Sequence, residues 1–193
     1  MRLKGYRMDE EIQEFIDQEI KEHREKVFFI EQGLGAEVHW FFTQALQAVK
    51  NELYLPACTS FLNGIEASIR VTLSQMEKLA RVVELNPQKT LSNRLLIDAL
   101  DAGLPVEFLA FPNEQDFIHK LSTKKPNIVN VEVVRVRHNL CHGNILEYVN
   151  TELGEENAFF TPECCRELAF DLYDVSKQWA MNLGTFRRSL FNA

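Results

Sequence analysis

The apolar positions of this chain recur at helical spacing over most of its length. In residues 8–31, Ile12, Phe15, Ile16, Glu19 and Ile20 follow an i, i+3, i+4 pattern with a dense charge screen opposite, which predicts an amphipathic helix. Gly33 and Gly35 end it in a tight turn. Residues 36–53 predict a second helix, with Val38, Phe41, Phe42, Ala45, Leu46 and Val49 on its apolar face and His39 as a packing or surface residue. Pro56 opens the longest helix, 56–85, in which Ala57, Ser60, Gly64, Ala67 and Ser68 permit close helix approach. Asn86-Pro87 breaks it. Thr90 is the expected N-cap of a helix over 91–102, stopped by Gly103. Residues 104–112 read as an apolar connector, either a strand fragment or an extended lid. Residues 113–121 read as a short helix capped by Asn113. A polar, acidic loop covers 149–156. Thr161, Pro162 and Glu163 then fit N-cap, N1 and N2 of a last long helix, with Leu168, Leu172, Val175 and Trp179 as its buried stripe. Arg187 and Arg188 near its C-terminal end suit the helix dipole. The expected fold is an all-α helical bundle of long antiparallel helices, a single domain over 1–193.

Between these elements lies the densest polar chemistry of the chain. Residues 129–144 read VNVEVVRVRHNLCHGN and hold Arg137, His138, Asn139, Cys141, His142 and Asn144 within eight residues. Taken as a helix at about 100° per residue, Val129, Val133, Val136 and Leu140 form one narrow apolar stripe facing a core. His142 then points roughly opposite, flanked by His138 and Asn139. Arg137 lies at the stripe's edge. The β-branched residues between Ile128 and Val136 favour a strand, but strand alternation breaks at Val133-Val134, so the helix reading stands. Val131, Val134 and Ile145 fall on the His142 side, which predicts that this side is covered, by another helix or a second subunit. A histidine in a half-covered cleft beside an arginine can exchange protons near neutrality. Glu66 and Arg70, spaced i, i+4, read as a surface or cleft pair, the solvated reading being preferred. Lys124 and Lys125 read as plain loop lysines, or else as lysines near a bound phosphate.

Composition narrows the chemistry. The fourteen Phe and two Trp supply much of the core volume, and a net charge of −7 argues against a broad nucleic-acid-binding surface while leaving room for a small cleft that takes a flexible single strand. The four cysteines, Cys58, Cys141, Cys164 and Cys165, form no C-x-x-C pair, so neither a metal nor another cofactor is expected. No apolar run approaches the roughly 20 residues that span a bilayer, and the basic N-terminus lacks a following apolar segment. A cytoplasmic location, with no membrane partner, is the expectation.

The string Arg137-His138-Asn139-Leu140-Cys141-His142 resembles the R-x4-H signature of the HEPN superfamily, in which a polar residue commonly follows the arginine. The resemblance covers about ten residues as motif and most of the chain as helical architecture. It implies a helical bundle, dimerisation through the motif face and, often, metal-independent RNA cleavage. On that footing Arg137 and His142 are the expected catalytic pair, with His138, Asn139 and Asn144 in support. The expected activity is a metal-independent endoribonuclease, as a toxin or phage-defence effector, with RNA as substrate, a homodimer as assembly and an antitoxin or defence partner. The alternatives are a non-catalytic HEPN-like module binding a nucleotide, RNA or a partner protein, and a purely structural helical dimer. An ideal helix sets Arg137 and His142 about 140° apart, so two subunits would be needed to complete one site.

Overall fold

The structure, a computed structural model, describes residues 3–191. Within them, seven α-helices and four short 3-10 turns build an all-α bundle, and the sole β pairing is an isolated antiparallel bridge between Asn150 and Phe159. The helices are α1 (Leu3–Glu31), α2 (His39–Lys50), α3 (Tyr54–Glu77), α4 (Asn93–Asp101), α5 (Phe117–Ser122), α6 (Glu132–Cys141) and α7 (Arg166–Phe191). Among these described residues, no helix is long and apolar enough to cross a membrane.

The core is built around α3, which packs against α2, α6 and α7. Its buried residues, among them Tyr54, Cys58, Phe61, Ile65, Ile69 and Thr72, cover more than one face, as expected of a helix enclosed by neighbours. Two glycines set the closest approaches. A Cβ on Gly64 would stand 2.8 Å from the Phe42 ring of α2. One on Gly184 of α7 would stand 2.5 Å from the carbonyl oxygen of Gln32, just after α1. Trp179 of α7 is fully buried and donates its indole N–H to Ser68 Oγ at 2.8 Å, so the largest core side chain has its one polar atom satisfied.

Several expected boundaries shift. α3 ends at Glu77 rather than at 85, because Lys78 turns extended. Continued as helix, residues 78–85 would run about 12 Å further along the axis. The bend instead returns Val82 and Leu85 to the core and leaves Val83 in solvent. Pro56 is the third residue of α3, where its missing N–H is one of the unpaired first-turn donors. Ser92, not Thr90, caps α4, its Oγ accepting the Leu95 N–H. Asn113 adopts positive φ and does not cap α5, whose N-cap is Asp116. Residues 106–109 of the connector form a 3-10 turn with Val106 and Leu109 buried, so it is neither strand nor lid. Pro162 does open the last helical segment, through a 3-10 turn that runs into α7.

Arg187 does more than sit near a helix end to suit its dipole. It is 7% exposed and donates to the Gly33 carbonyl, Thr72 Oγ1 and Gln75 Oε1 at 2.9, 2.9 and 2.7 Å. It ties α7 to α3 and to the turn after α1, and burial pulls its pKa below the usual guanidinium value. A Cβ on Gly35 would stand 2.6 Å from its Nη2, so that turn has room for glycine alone.

Candidate functional site

The polar stretch is a helix, but a shorter one than its pattern predicts. The β-branched residues Ile128, Val129 and Val131 precede α6 in non-helical backbone, in line with their preference for extended structure. Asn93 pins this approach, donating to the Val129 carbonyl at 2.8 Å and accepting the Val131 N–H at 3.2 Å. Glu114 Oε1 then accepts the first helical N–H, that of Glu132, at 2.9 Å. An acceptor brought from another segment thus satisfies one of the orphan donors at the start of α6.

Two parts of the expected face change as a result. Val129 is no part of the stripe and is half exposed. Val133, Val136 and Leu140 are buried as predicted, yet so are Val131 and Val134, which belong to the same core. The chain's own packing covers the side that called for a partner. Apolar exposure at Val131 and Val134 therefore gives no reason for a dimer through this face.

Gly143 ends the helix. At φ 70° it lets the Asn144 N–H reach the Asn139 carbonyl at 2.8 Å and its own N–H the Leu140 carbonyl at 3.4 Å, the bonding of a Schellman cap. His142 is therefore the C-cap residue itself, exposed at the helix end. It remains on the helical track, because its ring meets that of His138, one turn back, edge to face with centroids 6.0 Å apart. Burial, then the Arg137 charge and then His142, lower the pKa of His138.

Arg137 turns the other way, toward α3. Its Nη2 lies 3.7 Å from Glu66 Oε2, while Arg70 Nη1 lies 3.2 Å from Glu66 Oε1. The same carboxylate accepts the Leu91 N–H at 2.6 Å, and Arg70 donates to the Asn86 carbonyl at 2.5 Å. These side chains are only 14–18% exposed, so the Glu66–Arg70 pair is not the solvated pair that its spacing suggests. One carboxylate between two guanidiniums leaves a net positive charge beside the motif helix. Spacing alone showed only the partnership within α3. The long-range contact with Arg137 gives no sequence signal.

Asn139 and Asn144 come together as Asn144 Nδ2 donates to Asn139 Oδ1 at 3.1 Å. Asn139 in turn donates to Glu147, which also accepts from Arg135. Arg135 is paired with Glu132 as well, and these two carboxylates, Glu132 first, hold its pKa above the usual value. Tyr148 follows, with burial and then Glu147 pushing its pKa up to about 12. This network fastens the segment after the helix against its last two turns. The sequence reading passed over Glu147 and Tyr148. Lys124 and Lys125 are exposed and precede α6, about 15 Å of helix away from His142. Cys141 is exposed and Cys58 and Cys165 are buried. Among the described residues, no group of three or more His, Cys, Asp or Glu is arranged to hold a metal ion.

No known protein family, curated protein or solved structure matches the chain. The helical bundle is an observation of the structure, and the superfamily resemblance rests on the R-x4-H string alone.

Proposed function

We propose that the chain is a metal-independent endoribonuclease of HEPN type, with His142 and Arg137 as its catalytic residues. The observation that carries this reading is the placement of Arg137, held near Glu66 together with Arg70. Because it turns toward α3 while His142 caps the other side of the same helix, the pair acts across two chains, Arg137 from one and His142 from the other. Two guanidiniums on one carboxylate offer a phosphate a positive partner that is already positioned. In this reading His142 takes the proton of the substrate's 2′-hydroxyl. The freed oxygen attacks the adjacent phosphorus, and the bond to the 5′-oxygen breaks. The proton returns to that departing oxygen, leaving a 2′,3′-cyclic phosphate and a 5′-hydroxyl. Arg137 stabilises the charge that builds on the phosphoryl oxygens. His138, with its lowered pKa, stays neutral and orients His142, while Asn139 and Asn144 hold the helix end. A toxin or defence role, restrained by a partner protein, fits an activity that must be controlled.

One observation favours a second reading, a non-catalytic module that binds RNA, a nucleotide or a protein. The chain is acidic overall, and Glu66, Glu132 and Glu147 surround the motif, so a long anionic strand meets repulsion around it. Labelled RNA incubated with pure protein in EDTA separates the two. Cutting that survives the chelator, ends in a cyclic phosphate and disappears in both His142→Ala and Arg137→Ala supports the nuclease. His142 is exposed and opens no cavity on removal, so its loss is expected to leave the fold intact while costing roughly 10²–10⁴-fold in rate. Binding without cutting supports the module. Wild-type cutting by both variants removes the motif from the chemistry.

A further inference from the structure

His138 and His142 stand four residues apart on one side of α6, with their rings in contact. The His142 N–H bonds the His138 carbonyl at 3.1 Å, so the turn that carries both side chains closes before Gly143 ends the helix. The ring centroids lie 6.0 Å apart with their planes at 75°. Among the described residues, no ring nitrogen of the pair makes a hydrogen bond. Two imidazoles at i, i+4 are what a helix offers a transition-metal ion, since both project to the same side one turn apart.

The geometry is close to that of a shared ion. An ion about 2.0–2.1 Å from one nitrogen of each ring, with the two bonds about 90–110° apart, sets the centroids about 4.5–5.2 Å apart. The pair is therefore open by about 1 Å, which a rotation of the exposed His142 ring about its side-chain bonds closes. Arg137, the cation beside His138, turns toward α3, where its Nη2 lies 3.7 Å from Glu66. Its charge opposes the ion and keeps the affinity modest. Glu147 is taken up by Arg135 and Asn139 and supplies no third ligand. Among the described residues no third His, Cys, Asp or Glu joins the pair, so water completes the coordination shell. Such a site exchanges its ion instead of keeping it as a resident cofactor.

We propose that His138 and His142 form an exchangeable site for a late first-row divalent cation such as Zn²⁺, and that the bound ion switches off the proton transfer assigned to His142. The second half rests on the nuclease reading; the first half stands without it. A neutral imidazole has one nitrogen with a free lone pair. Once that lone pair is given to a metal, it cannot accept the proton of a 2′-hydroxyl. Half the ligand set of a structural zinc site places the dissociation constant at about 1–200 µM.

Calorimetric titration of the full chain with Zn²⁺ in a non-chelating buffer tests the site. Zn²⁺ serves as the probe because it has no redox chemistry toward the exposed Cys141 thiol. One ion per chain is expected. His138→Ala and His142→Ala should each weaken uptake at least tenfold, with circular dichroism checking that both variants stay folded. Cys141→Ser should bind within about twofold of wild type. In the RNA-cutting assay without chelator, Zn²⁺ should stop the wild type over the same concentrations that fill the site. The residual cutting of His138→Ala, measured against its own zinc-free rate, should need at least tenfold more Zn²⁺. A wild type that takes up no stoichiometric ion, an alanine variant that binds normally, uptake lost in Cys141→Ser, or full-speed cutting at saturating Zn²⁺ would each overturn the proposal. Uptake that needs both histidines, in a protein that cuts no RNA, would sink the nuclease reading and leave the cation site standing.

Discussion

Replacing Glu66 offers the sharpest check on how the site is held together. Glu66→Gln removes the negative charge between Arg70 and Arg137 but keeps an oxygen that can accept the Leu91 N–H. Glu66→Ala removes both. Losing one side of a buried ion pair costs about 3–5 kcal/mol, because the partner charge stays desolvated. The three side chains are 14–18% exposed, so water recovers part of that loss and roughly 2–3 kcal/mol is expected for Glu66→Gln. Orphaning the Leu91 amide should add about 1 kcal/mol in Glu66→Ala. For a chain of this length each kcal/mol moves the midpoint by about 2–4 °C, so Glu66→Gln should melt roughly 5–10 °C below wild type. Urea unfolding followed by circular dichroism gives the free energies, and the difference between the two variants isolates the amide contribution. A Glu66→Gln protein within about 0.5 kcal/mol of wild type would match a solvated pair and refute the reasoning.

Other outcomes follow from the packing and the electrostatics. Gly184→Ala should destabilise by about 1–3 kcal/mol despite the better helix propensity of alanine, because its Cβ meets a backbone oxygen at 2.5 Å. Gly64→Ala should cost less, since the Phe42 ring can shift; thermal melts of the two variants give the order. His138, whose pKa is lowered by burial, Arg137 and His142, should titrate by NMR below the ordinary histidine range, and Arg137→Ala should recover only part of the shift because burial is the larger cause. Its sign for stability follows from linkage. The unfolded chain binds the proton more readily, so this contribution is present above the unfolded pKa and is lost as pH falls below about 6.5. Trp179→Phe should cost about 1–3 kcal/mol in urea unfolding, chiefly from the lost ring, since the Ser68 hydroxyl loses the bond it accepts but keeps the one it donates to the Ile65 carbonyl.

Local pattern determined much of this protein. Apolar residues at helical spacing foretold the helical segments and the all-α class, because a helix must bury one stripe and that stripe is written in nearest-neighbour sequence. Pro162 marked the start of the last helical segment because steric limits on φ act within one or two residues. The polar content of α6 was equally legible, since Arg137, His138, Asn139, His142 and Asn144 are adjacent in the chain. What only the tertiary structure decided were contacts between residues far apart in sequence. Glu66 draws Arg137 toward α3 across 71 positions. Glu114, from another segment, caps α6 and so helps to set where that helix starts. Arg187 became a buried strut because Thr72, Gln75 and the Gly33 carbonyl meet it there. Pattern likewise states that a stripe must be covered without stating by what. Val131 and Val134 found their cover inside the chain, whereas Ile12, Phe15, Ile16 and Ile20 did not, because α1 runs on past the body it packs against.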